Sequence, residues 1–182
     1  MSADTTSLLQ PWSNFYVIVG SSAGALTGLQ FVVIALIAQA QATGSMLEIR
    51  AFGSPTVVHF CAALLVSAIL SAPWHTLSNV GLVLGICGAA GVVYALSVIR
   101  HASRTTGYRP DLEDWMWYVV LPLGTYVSLL VSGIEFATYP TTSLFEIAAI
   151  SLVLLFIGIH NAWDTVTFVA VKHLSRPDVR EE

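Results

Sequence analysis

The sequence predicts an all-α integral membrane protein, built as a bundle of five transmembrane helices with the N-terminus outside and the C-terminus in the cytoplasm. Of its 182 residues, 55% are hydrophobic and only 10% are charged, against about 25% charged in an average soluble domain. Five apolar segments approach or exceed the roughly 20 residues that a spanning helix needs. All basic residues also fall on one side of a five-helix arrangement.

We place the spans at about residues 15–38, 55–72, 80–99, 115–137 and 144–171, within one domain of residues 1–182. The first span is expected to stay in the protein, because residues 1–14 lack the basic region that opens a cleavable signal peptide. Pro73 separates the second span from the third, since proline interrupts a helix. Trp115 and Trp117 open the fourth span as interfacial aromatic residues do, and the fifth follows the short loop after it.

The basic residues predict the orientation of the bundle. Five spans place the 39–54 loop, the 100–114 loop and the C-terminal tail on one side of the membrane. Every Lys and Arg lies in these three segments, namely Arg50, Arg100, Arg104, Arg109, Lys172, Arg176 and Arg180. Because cytoplasmic loops carry an excess of Lys and Arg, we expect this side to face the cytoplasm from a plasma or inner membrane. The net charge of −4 and the absence of a basic run predict no nucleic-acid partner.

Glycine rows in the first and third spans predict close approach of neighbouring helices. Small residues at helical spacing let another backbone come near, which in lipid replaces the missing hydrophobic drive. The rows contain Gly20, Gly24 and Gly28 in the first span, and Gly81, Gly85 and Gly88 in the third. The pattern leaves two partners open, a helix of the same protomer or a second subunit.

Polar side chains inside the spans are the candidates for function, because an ionisable residue in the membrane needs a partner or water. One face of the fifth span carries Glu146, His160 and Asp164, and the fourth span has a shorter row with Ser128 and Glu135. Two such stripes can pack against each other or line a water-filled path. Gln30 in the first span and His59 in the second are expected at a depth similar to that of His160. The candidate pathway therefore comprises Gln30, His59, Ser128, Glu135, Glu146, His160 and Asp164.

We interpret these residues as the pathway of a small homo-oligomeric channel or transport protein for a cation or protons. His160 and Asp164 lie one helical turn apart, so we expect them to be coupled. This hypothesis requires no cofactor, and the absence of GxSxG and HExxH motifs disfavours a hydrolytic enzyme.

Two alternatives stay open. In the first, the chain is an electron-transfer subunit in which His59 and His160 bind haem, or His59, His160 and Asp164 bind a divalent metal. In the second, it is a structural subunit of a larger membrane complex, and the polar groups only join its helices in the lipid bilayer.

Overall fold

The structure is a computed structural model that describes residues 5–40, 46–102 and 112–174, and this part of the chain contains helices and no strand. The helices are α1 (Thr5–Leu9), α2 (Ser13–Ala40), α3 (Met46–Ser71), α4 (Leu77–Ala102), α5 (Leu112–Trp115), α6 (Leu121–Glu135) and α7 (Pro140–Leu174). A 3₁₀ turn at Gln10–Trp12 joins α1 to α2, and a π-helical segment at Met116–Val120 joins α5 to α6. The predicted all-α class is confirmed.

Four helical stretches of the described chain are long and apolar enough to cross a membrane. They are Thr5–Leu36, Leu77–Arg100, Met116–Glu135 and Pro140–Thr167. The predicted second span corresponds to a shorter apolar helix, Pro55–Ser71. These helices indicate an integral membrane protein, whereas the count of five spans and the orientation stay predictions.

Helix α3 differs from the predicted second span at its beginning. The sequence places the start at Pro55, but α3 begins at Met46 and passes through this proline. A proline inside a helix has no N–H, so the carbonyl group four residues earlier loses its helical partner. The other end agrees with the prediction, because α3 ends at Ser71, just before Pro73, and α4 begins at Leu77.

The helices pack in the spatial order α2, α3, α7, α6 and α4, with smaller contacts of α2 with α7 and of α3 with α4. Helices α3 and α7 therefore lie at the centre of the bundle. Both bury large apolar side chains completely, among them Phe60 and Val66 on α3 and Leu154 and Ile157 on α7.

The glycine row of α4 packs against α6 within the protomer. A Cβ atom added to Gly81 would lie 2.6 Å from the carbonyl oxygen of Gly133, and one added to Gly88 would overlap the backbone of Leu130. The backbone of Gly85 also lies at this contact, because a Cβ added to Gly133 on α6 would lie 2.5 Å from the Gly85 nitrogen. Glycine at positions 81, 88 and 133 therefore permits this approach of the two backbones.

The glycine row of α2 is used differently. A Cβ on Gly20 would lie 3.0 Å from the Cβ of Ser67 on α3, so this residue does pack closely within the protomer. Around the Cβ positions of Gly24 and Gly28 there is no atom within 4 Å. The greater part of the first row is therefore open at the surface of the protomer.

Candidate functional site

Polar side chains of α7 meet α6, and the π segment before α6, along one line that we name the α6–α7 seam. At the end near the α6–α7 turn, the Ser132 hydroxyl donates a hydrogen bond of 2.7 Å to Oε2 of Glu146. Glu146 belongs to the stripe predicted for the fifth span, and Ser132 lies beside the row of Ser128 and Glu135 predicted for the fourth. This contact joins the stripe of α7 to α6 at this end.

At the far end of the seam, two consecutive aromatic residues contact α7. The Trp117 ring stacks on the His160 imidazole, with ring centroids 3.9 Å apart and planes 13° from parallel. The Tyr118 hydroxyl donates a hydrogen bond of 3.1 Å to Oδ2 of Asp164. Both aromatic residues belong to the π-helical segment, a distortion that is frequent at functional sites.

His160 and Asp164 do not bond to each other in the described structure. Each has its own aromatic partner, a stacked indole for the imidazole and a phenol hydroxyl for the carboxylate. The sequence places His160 and Asp164 one turn apart, but it does not reveal Trp117 and Tyr118 as their partners, because both resemble ordinary interfacial aromatic residues. Their role depends on contacts with a helix that is distant in the sequence.

The carboxylates of the seam lie at the surface of the protomer, whereas Ser132 is buried. Ser128, Glu135, Glu146 and Asp164 are all exposed, and His160 is partly buried. At about 1.5 Å per residue, Glu146 and Asp164 stand about 27 Å apart along α7. This separation is close to the roughly 30 Å of the hydrocarbon core, so the seam is long enough to extend from one membrane boundary to the other.

Gln30 and His59, the other two predicted pathway residues, lie in the core. Their exposed fractions are 3% and 2%. The Nδ1 atom of His59 lies 3.0 Å from the Tyr126 hydroxyl, and the two groups form a buried hydrogen bond between α3 and α6. Of the seven predicted residues, three lie on the seam (Glu146, His160 and Asp164), two are exposed on α6 (Ser128 and Glu135), and two lie inside the bundle (Gln30 and His59).

Thr56 and Asn161 are two further polar residues of the core that the sequence analysis did not include in the site. Both are completely buried. Asn161 stands between His160 and Asp164 in the sequence but turns to the apolar face of α7. A polar residue on the apolar face of a helix is a signal that could have identified it.

The candidate metal ligands do not form a cluster. Within the residues that the structure describes, no group of three or more His, Cys, Asp or Glu side chains could hold a metal ion. His59 bonds to Tyr126, and His160 stacks on Trp117. The three-ligand site expected from His59, His160 and Asp164 is therefore not assembled here.

No protein-family model, curated protein or solved structure matches the chain. The seam and the buried polar side chains are therefore the features that bear on its function.

Proposed function

We propose that the protein is a five-span, homo-oligomeric membrane protein that transports a cation or protons along the α6–α7 seam. The observation that carries this proposal is the exposure of Glu146 and Asp164 on a helix long enough to cross a membrane. Glu146 and Asp164 stand near the two membrane boundaries, and the cost of an exposed charge rises toward the bilayer centre, to at least about 2.5–3.5 kcal/mol on insertion scales. Water or a second protomer has to cover such a surface where it enters the hydrocarbon region.

The side chains between the two carboxylates suit a wetted path. Gly124 and Ser128 are exposed on α6 and supply a small, partly hydroxylated wall. At the far end His160 offers an imidazole, the side chain that most readily exchanges a proton near neutral pH. When several protomers turn their seams toward a common axis, these groups face a shared aqueous path.

The open part of the α2 glycine row supports assembly from several copies. Gly24 and Gly28 lack close neighbours within the protomer. Rows of small residues are typical of helix–helix contacts in membranes, and a helix of a second protomer can approach α2 at these positions.

Transport can be tested with His160→Ala, Asp164→Asn and the double variant in liposomes. Ile159→Ala is the matched control, since Ile159 is an exposed apolar neighbour on the same helix. We expect the first three to fold and to lose flux or to shift its pH dependence, with the double variant no worse than the worse single variant. The control should transport like the wild type.

Two results would contradict the transport proposal. One is wild-type flux in all three variants, and the other is an inactive wild type under every ion gradient tested. If the variants only melt at lower temperature while flux is unchanged, the seam joins helices, as expected for a structural subunit.

The span count and orientation are tested by cysteine labelling from outside sealed cells, in a background with Cys61 and Cys87 replaced by serine. Ser78 and Thr141 are exposed at the two predicted outer turns, and we expect Ser78→Cys and Thr141→Cys to react with an impermeant reagent. Arg104 lies outside the described residues, and Arg104→Cys should react only after the membrane is opened. Labelling of Arg104→Cys in sealed cells would overturn the five-span arrangement.

A further inference from the structure

Three side chains from three helices carry polar atoms that are buried without a partner. Gln30 on α2 is 3% exposed, and Thr56 on α3 and Asn161 on α7 are both 0% exposed. Four of their atoms lack a hydrogen-bond partner among the described residues: Gln30 Nε2, Thr56 Oγ1, and both Nδ2 and Oδ1 of Asn161. A buried polar group left unsatisfied costs about 1–3 kcal/mol, so a set of four requires an explanation.

Packing of α2 on α3 places Gln30 and Thr56 at one level of the bundle. The two helices run antiparallel and meet closely at Gly20 and Ser67. From that contact, Gln30 lies about 15 Å along α2 and Thr56 about 16.5 Å along α3, at about 1.5 Å per residue. The two side chains are therefore separated by less than one helical turn along the bundle.

Packing of α3 on α7 brings Asn161 to the same level. A Cβ added to Gly158 would overlap the Phe60 ring, which marks where these antiparallel helices touch. From that contact, Asn161 lies about 4.5 Å along α7 and Thr56 about 6 Å along α3 in the same direction. Helix α3 packs against both α2 and α7, so the three polar side chains share one level of this three-helix group. Helices α2 and α7 themselves touch at their other ends, where the Tyr16 hydroxyl donates a 3.4 Å hydrogen bond to the Leu144 carbonyl.

We propose that Gln30, Thr56 and Asn161 form a hydration site inside each protomer, between α3 and its neighbours α2 and α7, that binds one or more water molecules. The two amide NH₂ groups donate hydrogen bonds, the Asn161 oxygen accepts them, and the Thr56 hydroxyl can do both. Water complements this mixture, since a buried water molecule typically makes about three hydrogen bonds.

The charge of the site favours a neutral ligand over a cation. No carboxylate occurs among the buried polar side chains of the described chain. His59 lies one turn from Thr56 on the same face of α3, and the site therefore adjoins the His59–Tyr126 hydrogen bond. It is separate from the α6–α7 seam and does not depend on the transport proposal.

The site can be tested by NMR of the full-length protein in nanodiscs with asparagine labelled at the side-chain nitrogen. The chain contains three asparagines, Asn14, Asn79 and Asn161, and the first two are exposed. In a rotating-frame experiment, dipolar contact with bound water and chemical exchange with solvent give cross peaks of opposite sign. We expect a dipolar water peak at Asn161 and exchange peaks at Asn14 and Asn79.

A matched pair of variants links that peak to the proposed ligands. Thr56→Val removes the unpartnered hydroxyl and should strongly reduce the water peak of Asn161. Thr125→Val removes another buried hydroxyl, which donates to the Leu121 carbonyl at 2.6 Å, and should leave the peak unchanged.

Several results would overturn the hydration site. A wild-type Asn161 amide with a contact to the Gln30 amide and no dipolar water peak would mean that the two amides pair directly. An exchange peak alone, or a water peak that persists in a folded Thr56→Val variant, would also reject it. The wild-type measurement decides the matter even when Thr56→Val fails to fold.

Discussion

The glycine rows of α2 and α4 look alike in the sequence and have different surroundings in the structure. In α4, Gly81 and Gly88 face the backbone of α6 so closely that a methyl group would collide with it. In α2, Gly20 contacts α3, but no other atom of the protomer lies within 4 Å of a Cβ added to Gly24 or Gly28. One row is closed by the chain itself, and most of the other is left uncovered.

A row of small residues therefore predicts that another helix can come close, but it does not predict which helix does so. Lipid tails are as apolar as the side chains, so close packing decides which helices associate. The α4 row packs against α6 within the protomer and therefore stabilises the fold of the single chain. The open α2 row is available for a contact between protomers, which is why our proposal places assembly there.

The largest expected effect is on folding at the closed row. Gly88→Ala forces a methyl group into the Leu130 backbone, and we expect a loss of about 1–3 kcal/mol in the free energy of unfolding, as for other overpacked sites. Gly85→Ala is the control, because its Cβ meets no atom within 4 Å, and it should cause no loss, since alanine is favoured over glycine inside a helix by about 0.5–1 kcal/mol. Unfolding in mixed micelles measures both, and equal effects would erase the distinction between the two positions.

The next effect is on assembly at the open row. Gly24→Leu should leave the protomer folded but weaken self-association by about tenfold or more, equivalent to about 1.4 kcal/mol, because the added side chain holds a neighbouring helix away. Leu29→Ala changes a side chain that is 59% exposed and should have a smaller effect. Native electrophoresis in mild detergent compares the two, and unaltered migration of both would leave α2 without a subunit contact.

The smallest effect is expected at Gly20, the residue where the open row touches α3. A methyl group would lie 3.0 Å from the Ser67 Cβ, and the Ser67 hydroxyl is held by a 2.8 Å hydrogen bond to the Ala63 carbonyl. We expect Gly20→Ala to cost about 1 kcal/mol or less, at the lower end of overpacking. Combining it with Ser67→Gly in a double-mutant cycle should reveal a favourable coupling, and strict additivity would show that the pair does not limit packing.

The stretch around His160 shows how far the periodicity of a sequence carries. The helical period groups Glu146, His160 and Asp164 on one face of α7, and the structure adds that Ser132 of α6 donates a hydrogen bond to Glu146. The period did not identify Asn161 as the completely buried polar residue of that stretch. The helical period relates residues of one helix to each other, but the rotation of that helix against its neighbours is set by side chains elsewhere in the chain.

The sequence by itself determined the all-α class, the apolar character of the helices and the approximate ends of most of them. These properties are local, since a spanning helix must satisfy its own backbone and exceed a fixed length of apolar residues. The tertiary structure alone decided that Gly81 and Gly88 are closed and Gly24 is open. It also decided that Trp117 covers His160, and that Gln30, Thr56 and Asn161 share one level. Each of these outcomes depends on how ridges and grooves of several helices fit together at once, and no single segment contains that information.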